Sequence, residues 1–153
     1  MTVNIYTCTT AKKPINATAG MAFVIECETS KGPATLTHTG HLENITRNKA
    51  EIQCLMEALK KLNRECELEI YVTSDFTAAV LNNYLAKWEA AGWRNSRGED
   101  VDEIYKELKN LLNPHKFYGK TDHHAYSEWL KREAEKEDSK CSTSTGNLTP
   151  QKS

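Results

Sequence analysis

The side chains with the most chemistry to offer stand at the edges of patterned segments: Cys8, Glu51, Asp75, the pair His123 and His124, and Glu128. Carboxylate oxygens are hard donors suited to magnesium or manganese, and they also satisfy free amides at a helix start. Glu51 falls where a helix opens, a place the macrodipole favours for an acid. Asp75 precedes a helical stretch beginning near Phe76 and is placed to cap it. Cys8 is a soft donor whose free thiol ionises only near about pH 8.5. It suits zinc rather than magnesium, with His123 or His124 as co-ligands, but the spacing carries little of a zinc signature. The other cysteines form no C-x-x-C pair, and Cys27, Cys54 and Cys66 lie in apolar segments where a reduced thiol acts as a small core residue. The two histidines fall in a polar loop, and behind them Trp129 and Leu130 supply the packing face of a last helix.

These residues need elements to hold them. Val3–Cys8 alternates and is rich in β-branched and aromatic types, as is Gly20–Cys27 beyond a loop carrying Lys12, Lys13 and Pro14. Ser30–Pro33 is a turn, and Ala34–Thr39 alternates again, which makes a three-strand meander. From Thr46 the period changes: Ile52, Leu55, Met56, Leu59 and Leu62 fall on one helical face. Glu67–Thr73 returns to strand character, Phe76–Ala91 and Val101–Leu112 read as helices, and Pro114 stops the second of them. His115–Lys120 follows as a short strand and Ala125–Glu135 as a helix. The order βββ-α-β-α-α-β-α predicts an α/β domain with a five-stranded mixed sheet, three antiparallel strands and then parallel ones, flanked by helices.

Length and composition set the frame. At 153 residues, 39% hydrophobic and 27% charged, the chain is sized for one domain, predicted over 1–136. The stretch 137–153, rich in Ser, Thr, Lys and Gly, is predicted to be a disordered tail. The formal charge of −1 does not announce a nucleic-acid partner, so any such partner would meet a local basic patch. No basic start precedes an apolar stretch and no run is long enough for a membrane helix, so a cytoplasmic protein with no membrane partner is expected. Oligomeric state is not legible.

Three local patterns lie on this frame. The first strand ends Ile5-Tyr6-Thr7-Cys8, the first helix is entered through Thr46-Arg47-Asn48-Lys49-Ala50-Glu51-Ile52, and Trp88 precedes Gly92-Trp93, Gly98 and Val101. In this order, over about residues 3 to 135, they resemble the type 1 ribonuclease H family, its Tyr-Thr-Asp strand, T-x-N-x-x-E helix entry and W-x-x-x-G-W handle. The resemblance implies the ribonuclease H-like fold. It also implies an endonuclease that hydrolyses the RNA strand of RNA–DNA hybrids, with Mg2+ or Mn2+ held by four carboxylates.

On that pattern Glu51 matches one metal ligand. Cys8 takes the place of the metal-bridging Asp. In the gapless register Ser74 stands in an acidic place and Asp75 in a serine place, so Asp75 either reaches the metal cluster or only caps its helix. The last acid falls on Ser127, with Glu128 adjacent, and His123 or His124 matches the family's loop histidine. The hybrid backbone would be met by Lys12 and Lys13, by Arg47, Asn48 and Lys49, and by Lys87, Trp88, Trp93, Arg94 and Arg97 of the handle. Asn16, Asn44 and Asn48 are candidates for 2′-hydroxyl contact. Against the handle's cations stand Glu89, Glu99, Asp100, Asp102 and Glu103. The alternative is a catalytically impaired homologue serving as a nucleic-acid-binding or protein-interaction module.

Overall fold

Alternation in the first strand separates the two faces on which the molecule is built. In β1 (Thr2–Thr9), Val3 and Ile5 enter one apolar cluster, while Tyr6 and Cys8 enter another on the opposite side. A computed structural model describes residues 1–146, with side chains described through 139. β2 (Asn16–Thr29) pairs antiparallel with β1, and β3 (Gly32–Ile45) antiparallel with β2 across a turn in which Gly32 takes φ +105°. β4 (Glu67–Tyr71) and β5 (Lys116–Lys120) add in parallel, giving the order β3-β2-β1-β4-β5. The predicted mixed sheet is present, with its meander longer than alternation alone had marked.

α1 (Arg47–Leu59) is capped by Thr46, whose hydroxyl accepts from the Lys49 amide, and its Ile52, Leu55, Met56 and Leu59 pack on the Val3–Ile5 face. The cap puts Glu51 a full turn inside the helix, so the macrodipole is not what favours an acid there. α4 (Glu103–Leu112), capped by Asp102, packs Tyr105, Leu108 and Leu112 into the same cluster. Between them, α2 (Asp75–Ala79), a π turn (Val80–Tyr84) and α3 (Leu85–Ala90) run on as one helix. Its cap is Ser74, which accepts from the Thr77 amide, rather than Asp75. The wider turn brings Asn82 to β5, where its amide group donates to the Gly119 carbonyl at 2.9 Å and accepts from the Gly119 amide at 2.7 Å. An edge strand's free backbone groups are thereby satisfied.

α5 (Ser127–Gly146) covers the other face, with Leu130 and Ala134 against Tyr6, Ala22 and Val24. It corrects the predicted boundary at 136/137, because the helix continues past it. Asp138 accepts from the Thr10 and Thr18 hydroxyls at 3.1 and 3.4 Å, and Glu137 from Thr39 at 3.1 Å. A polar composition conceals such contacts; residues 147–153 of the predicted tail lie outside the described ones. No helix among the described residues is long and apolar enough to cross a membrane.

α5 comes onto β2 at Gly20, where an added Cβ would meet the Ala134 carbonyl and stand 2.8 Å from the Asp138 amide. Both are backbone atoms that cannot rotate away. Gly20→Ala is therefore expected to cost about 2 kcal/mol or more, lowering the melting temperature by roughly 4–8 °C, with the loss measured by thermal denaturation.

Candidate nucleic-acid cleft and handle

Glu51 is 2% exposed and its carboxylate is met on both oxygens. Oε2 accepts from the Thr7 hydroxyl at 3.0 Å, the Thr73 amide at 2.7 Å and the Thr73 hydroxyl at 3.0 Å, and Oε1 accepts from the Ser74 amide at 3.1 Å. Burial pushes its carboxyl above the usual carboxylate range, against the pull of these donors. The group ties α1 to the ends of β1 and β4 and to the cap of α2.

Cys8 lies at the carboxyl end of β1, on the face that α5 covers. It lines a cleft of about 390 Å³ together with Thr9 of β1, Thr10 and Lys12 from the loop, Thr73, Asp122, His123 and His124, and Ser127, Glu128, Lys131 and Glu135 of α5. Burial, then the nearby Glu51 charge, pushes the Cys8 thiol up to about 11, with Lys12 and Lys131 acting the other way. It is a neutral thiol near pH 7.

The other carboxylates do not gather at Glu51. Asp75 is exposed at the first position of α2 and is not among the residues lining the cleft. Glu128 lies at the cleft's outer lip, 3.7 Å from His123 with both side chains exposed. Ser74 gives its hydroxyl to capping. Among the described residues no three His, Cys, Asp or Glu side chains converge closely enough to hold a metal ion.

His124 is engaged instead in an aromatic cluster that the sequence reading missed. Its ring lies 4.4 Å from that of Tyr6 and 5.3 Å from Tyr71, and Tyr6 stacks on Tyr71 at 4.7 Å. Its Nδ1 accepts from the Tyr126 amide at 3.1 Å, and the Tyr126 hydroxyl donates to Glu26 at 2.6 Å. Tyr6 donates to the same carboxylate at 3.0 Å, and these donors, Tyr126 foremost, hold Glu26 below the usual carboxylate range. The Tyr6 position in the first-strand motif was the available signal.

The handle is a second surface. Phe76, Tyr84 and Trp88 line a groove of about 510 Å³ with Lys87, Arg94 and Arg97. Trp88 packs between Tyr84 and Tyr105 at 5.4 and 5.1 Å. Gly92 at φ +70° and Trp93 at φ +64° turn the chain back, and Trp93 is half-buried in the core rather than in the groove. The acids that seemed to oppose the handle are paired within it: Arg94 with Asp100 at 3.1 Å and Arg97 with Glu99 at 3.5 Å. Asp102 takes Lys49 and Glu89 takes Lys109. Such exposed pairs are worth at most about 1 kcal/mol. Of the other predicted contacts, Lys12, Lys13, Arg47 and Asn48 are exposed. Asn16 is not free, since its amide donates to the Lys13 and Ile45 carbonyls.

The RNase H family model matches residues 1–124. The chain belongs to the RNase H family. Ribonuclease H of Cupriavidus pinatubonensis is 32% identical over 75 residues, 48% of this chain and 52% of that protein. Ribonuclease H of Francisella tularensis subsp. novicida is 31% identical over 78 residues, 50% of this chain and 51% of that protein. The chain thus spans about half the length of the relatives it matches. Among solved structures, LC9-RNase H1, a type 1 RNase H with the type 2 active-site motif, superposes with a TM-score of 0.72 at 16% identity over 90% of this chain and 72% of that one. LC11-RNase H1, solved in complex with an RNA/DNA hybrid, does so at 0.63 and 18% identity over 91% and 98%. These likenesses establish the ribonuclease H-like fold.

In this RNase H homologue, burial first and His123 second lower the His124 pKa from its ordinary value. Between that ordinary value and the lowered one the unfolded chain binds a proton that the folded chain does not, so stability is full above about pH 6.5 and declines as pH falls below it. The melting temperature should drop between about pH 7 and pH 5.5, and His124→Phe, which keeps the ring and removes the titration, should flatten that slope.

Proposed function

We propose that this chain is a nucleic-acid-binding RNase H homologue that engages RNA–DNA hybrid without efficient hydrolysis. The observation that carries the reading is the occupation of Glu51, whose buried carboxylate already has four donors. Two-metal hydrolysis needs carboxylates free to bridge and flank hard cations. Here the bridging place holds the neutral thiol of Cys8, Ser74 and Ser127 stand in two acidic places, Asp75 is exposed at the start of α2, and Glu128 is exposed beside His123. The donor set does not fit Mg2+ or Mn2+, and no hydrolytic step is assigned to it.

Binding is supported separately. LC11-RNase H1 and the foamy viral protease-reverse transcriptase, which share the fold, were both solved with RNA/DNA hybrid. The handle keeps an aromatic groove edged by Lys87, Arg94 and Arg97, the combination of stacking surface and phosphate-seeking charge that backbone binding uses. In the Cys8 cleft His124 serves as a wall residue, since it accepts from Tyr126 and packs on Tyr6.

A labelled RNA–DNA hybrid incubated with magnesium or manganese should remain intact at protein concentrations that shift it in a gel. Cys8→Asp alone should leave it intact as well; the combination with Ser74→Asp and Ser127→Asp is the smallest change expected to give metal-dependent cleavage. Cleavage by the unaltered chain that Glu51→Gln abolishes would overturn the reading.

A further inference from the structure

In a nuclease that works through divalent ions, the acidic cleft repels a phosphate until the cations arrive. Two of the places that would hold such acids carry uncharged side chains here and a third acid is turned inward, although Asp122, Glu128 and Glu135 remain on the walls. Cys8 and Ser127 are uncharged, and the Glu51 carboxylate faces Thr7, Thr73 and Ser74 rather than the opening. Beside Cys8 the cleft presents two cations from different elements: Lys12, from the loop that follows β1, and Lys131, one turn along α5 from Ser127. Both are exposed, both act on the Cys8 thiol, and neither has an ion-pair partner among the described residues. The position of Lys12 is supported by Arg47, whose guanidinium donates to its carbonyl at 3.5 Å.

Three carboxylates share the walls, and their placement bears on the sign of the cleft. Glu128 is drawn to His123 at the outer lip. Asp122 acts on Lys120, which is itself bonded to Glu69 at 3.1 Å. Glu135 lies one turn beyond Lys131 and is the acid left near the floor. A phosphate seated over Cys8 would therefore share the cleft with both lysines and the Ser127 hydroxyl.

We infer that the cleft takes a phosphodiester of the nucleic-acid backbone directly between Lys12 and Lys131, with no divalent cation between protein and phosphate. The inference rests on the proposed function, since it names the contact by which this chain would hold a hybrid where its relatives hold metal. It makes the affinity independent of magnesium and dependent on two particular lysines.

The test is fluorescence anisotropy of a labelled RNA–DNA hybrid with the full chain, in EDTA and in magnesium at matched ionic strength, across a salt series. Equal affinity in the two buffers is expected. Lys12→Ala with Lys131→Ala should weaken binding about tenfold or more and reduce the slope of log affinity against log salt by about 2. Lys61→Ala with Lys116→Ala, at the opposite end of the sheet, should change neither. Cys8→Asp, which puts a carboxylate back against the phosphate, should weaken binding several-fold in EDTA. Binding that requires magnesium, or that keeps its affinity and salt slope without the two lysines, overturns this inference and leaves the proposed function standing. Absence of binding in both buffers overturns both.

Discussion

One buried carboxylate sets the positions of four parts of the chain. Glu51 reaches from α1 to the hydroxyl of Thr7 near the end of β1, to the amide and hydroxyl of Thr73 just beyond β4, and to the amide of Ser74 at the cap of α2. A charge 2% exposed would be costly without compensation. Four donors supply it, and in doing so they fix the two strand ends that deliver Cys8 and Thr73 into the cleft. Where cations hold an acidic cluster together, each carboxylate is positioned by the ion. In this chain hydroxyls and amides do that work, and the geometry of the cleft floor is complete within the protein.

The second constraint is electrostatic. A chain with formal charge −1 has no general attraction for a polyanion, so whatever attraction exists must be local. The handle illustrates how local it is. Its acids and bases alternate along the turn and pair with each other, leaving Lys87 beside an aromatic groove with neighbours whose ion pairs are solvent-exposed. The cleft differs in having its two lysines unpaired among the described residues. The two surfaces are unlike in another respect: the handle offers ring faces, whereas the cleft offers hydroxyls and point charges.

Much of the architecture was legible because it depends on period. Alternation marked β1, the meander and β4, and the spacing of Ile52, Leu55, Met56 and Leu59 marked α1. The π turn at Val80–Tyr84 was hidden, since the apolar pattern continues through it and its cause, the pairing of Asn82 with Gly119, joins residues far apart in sequence. The extension of α5 past residue 136 was hidden for a related reason: its contacts are carboxylate to hydroxyl, and Glu137 and Asp138 look like solvent residues until Thr39, Thr10 and Thr18 are placed beneath them. In the site, motif spacing put Cys8 on the first strand and Glu51 on the first helix. It could not show that Glu51 is fully engaged, because that depends on which way Thr7 and Thr73 face, nor that Lys131 joins the cleft, because nothing in its segment distinguishes it from Arg132. Asp75 was the opposite case, an acid near the right strand whose helix cap, Ser74, leaves it facing outward.

The close seating of α5 on Gly20 has a kinetic meaning. Residues 20 and 134 meet only after nearly the whole domain exists, and β4 can join β1 in parallel only once the intervening meander and helix have been gathered in. Such distant partners make for slow assembly, because the ordering entropy of the long intervening segments must be met before their contacts form. During synthesis the N-terminal meander emerges first, bearing Cys8 and Lys12 with one side of the sheet still bare. Ser127 and Lys131 arrive only with α5, after every strand of the sheet. Half of the cleft therefore waits, unformed, until α5 has been made, and a chain interrupted before that helix would carry the floor of the cleft without its wall.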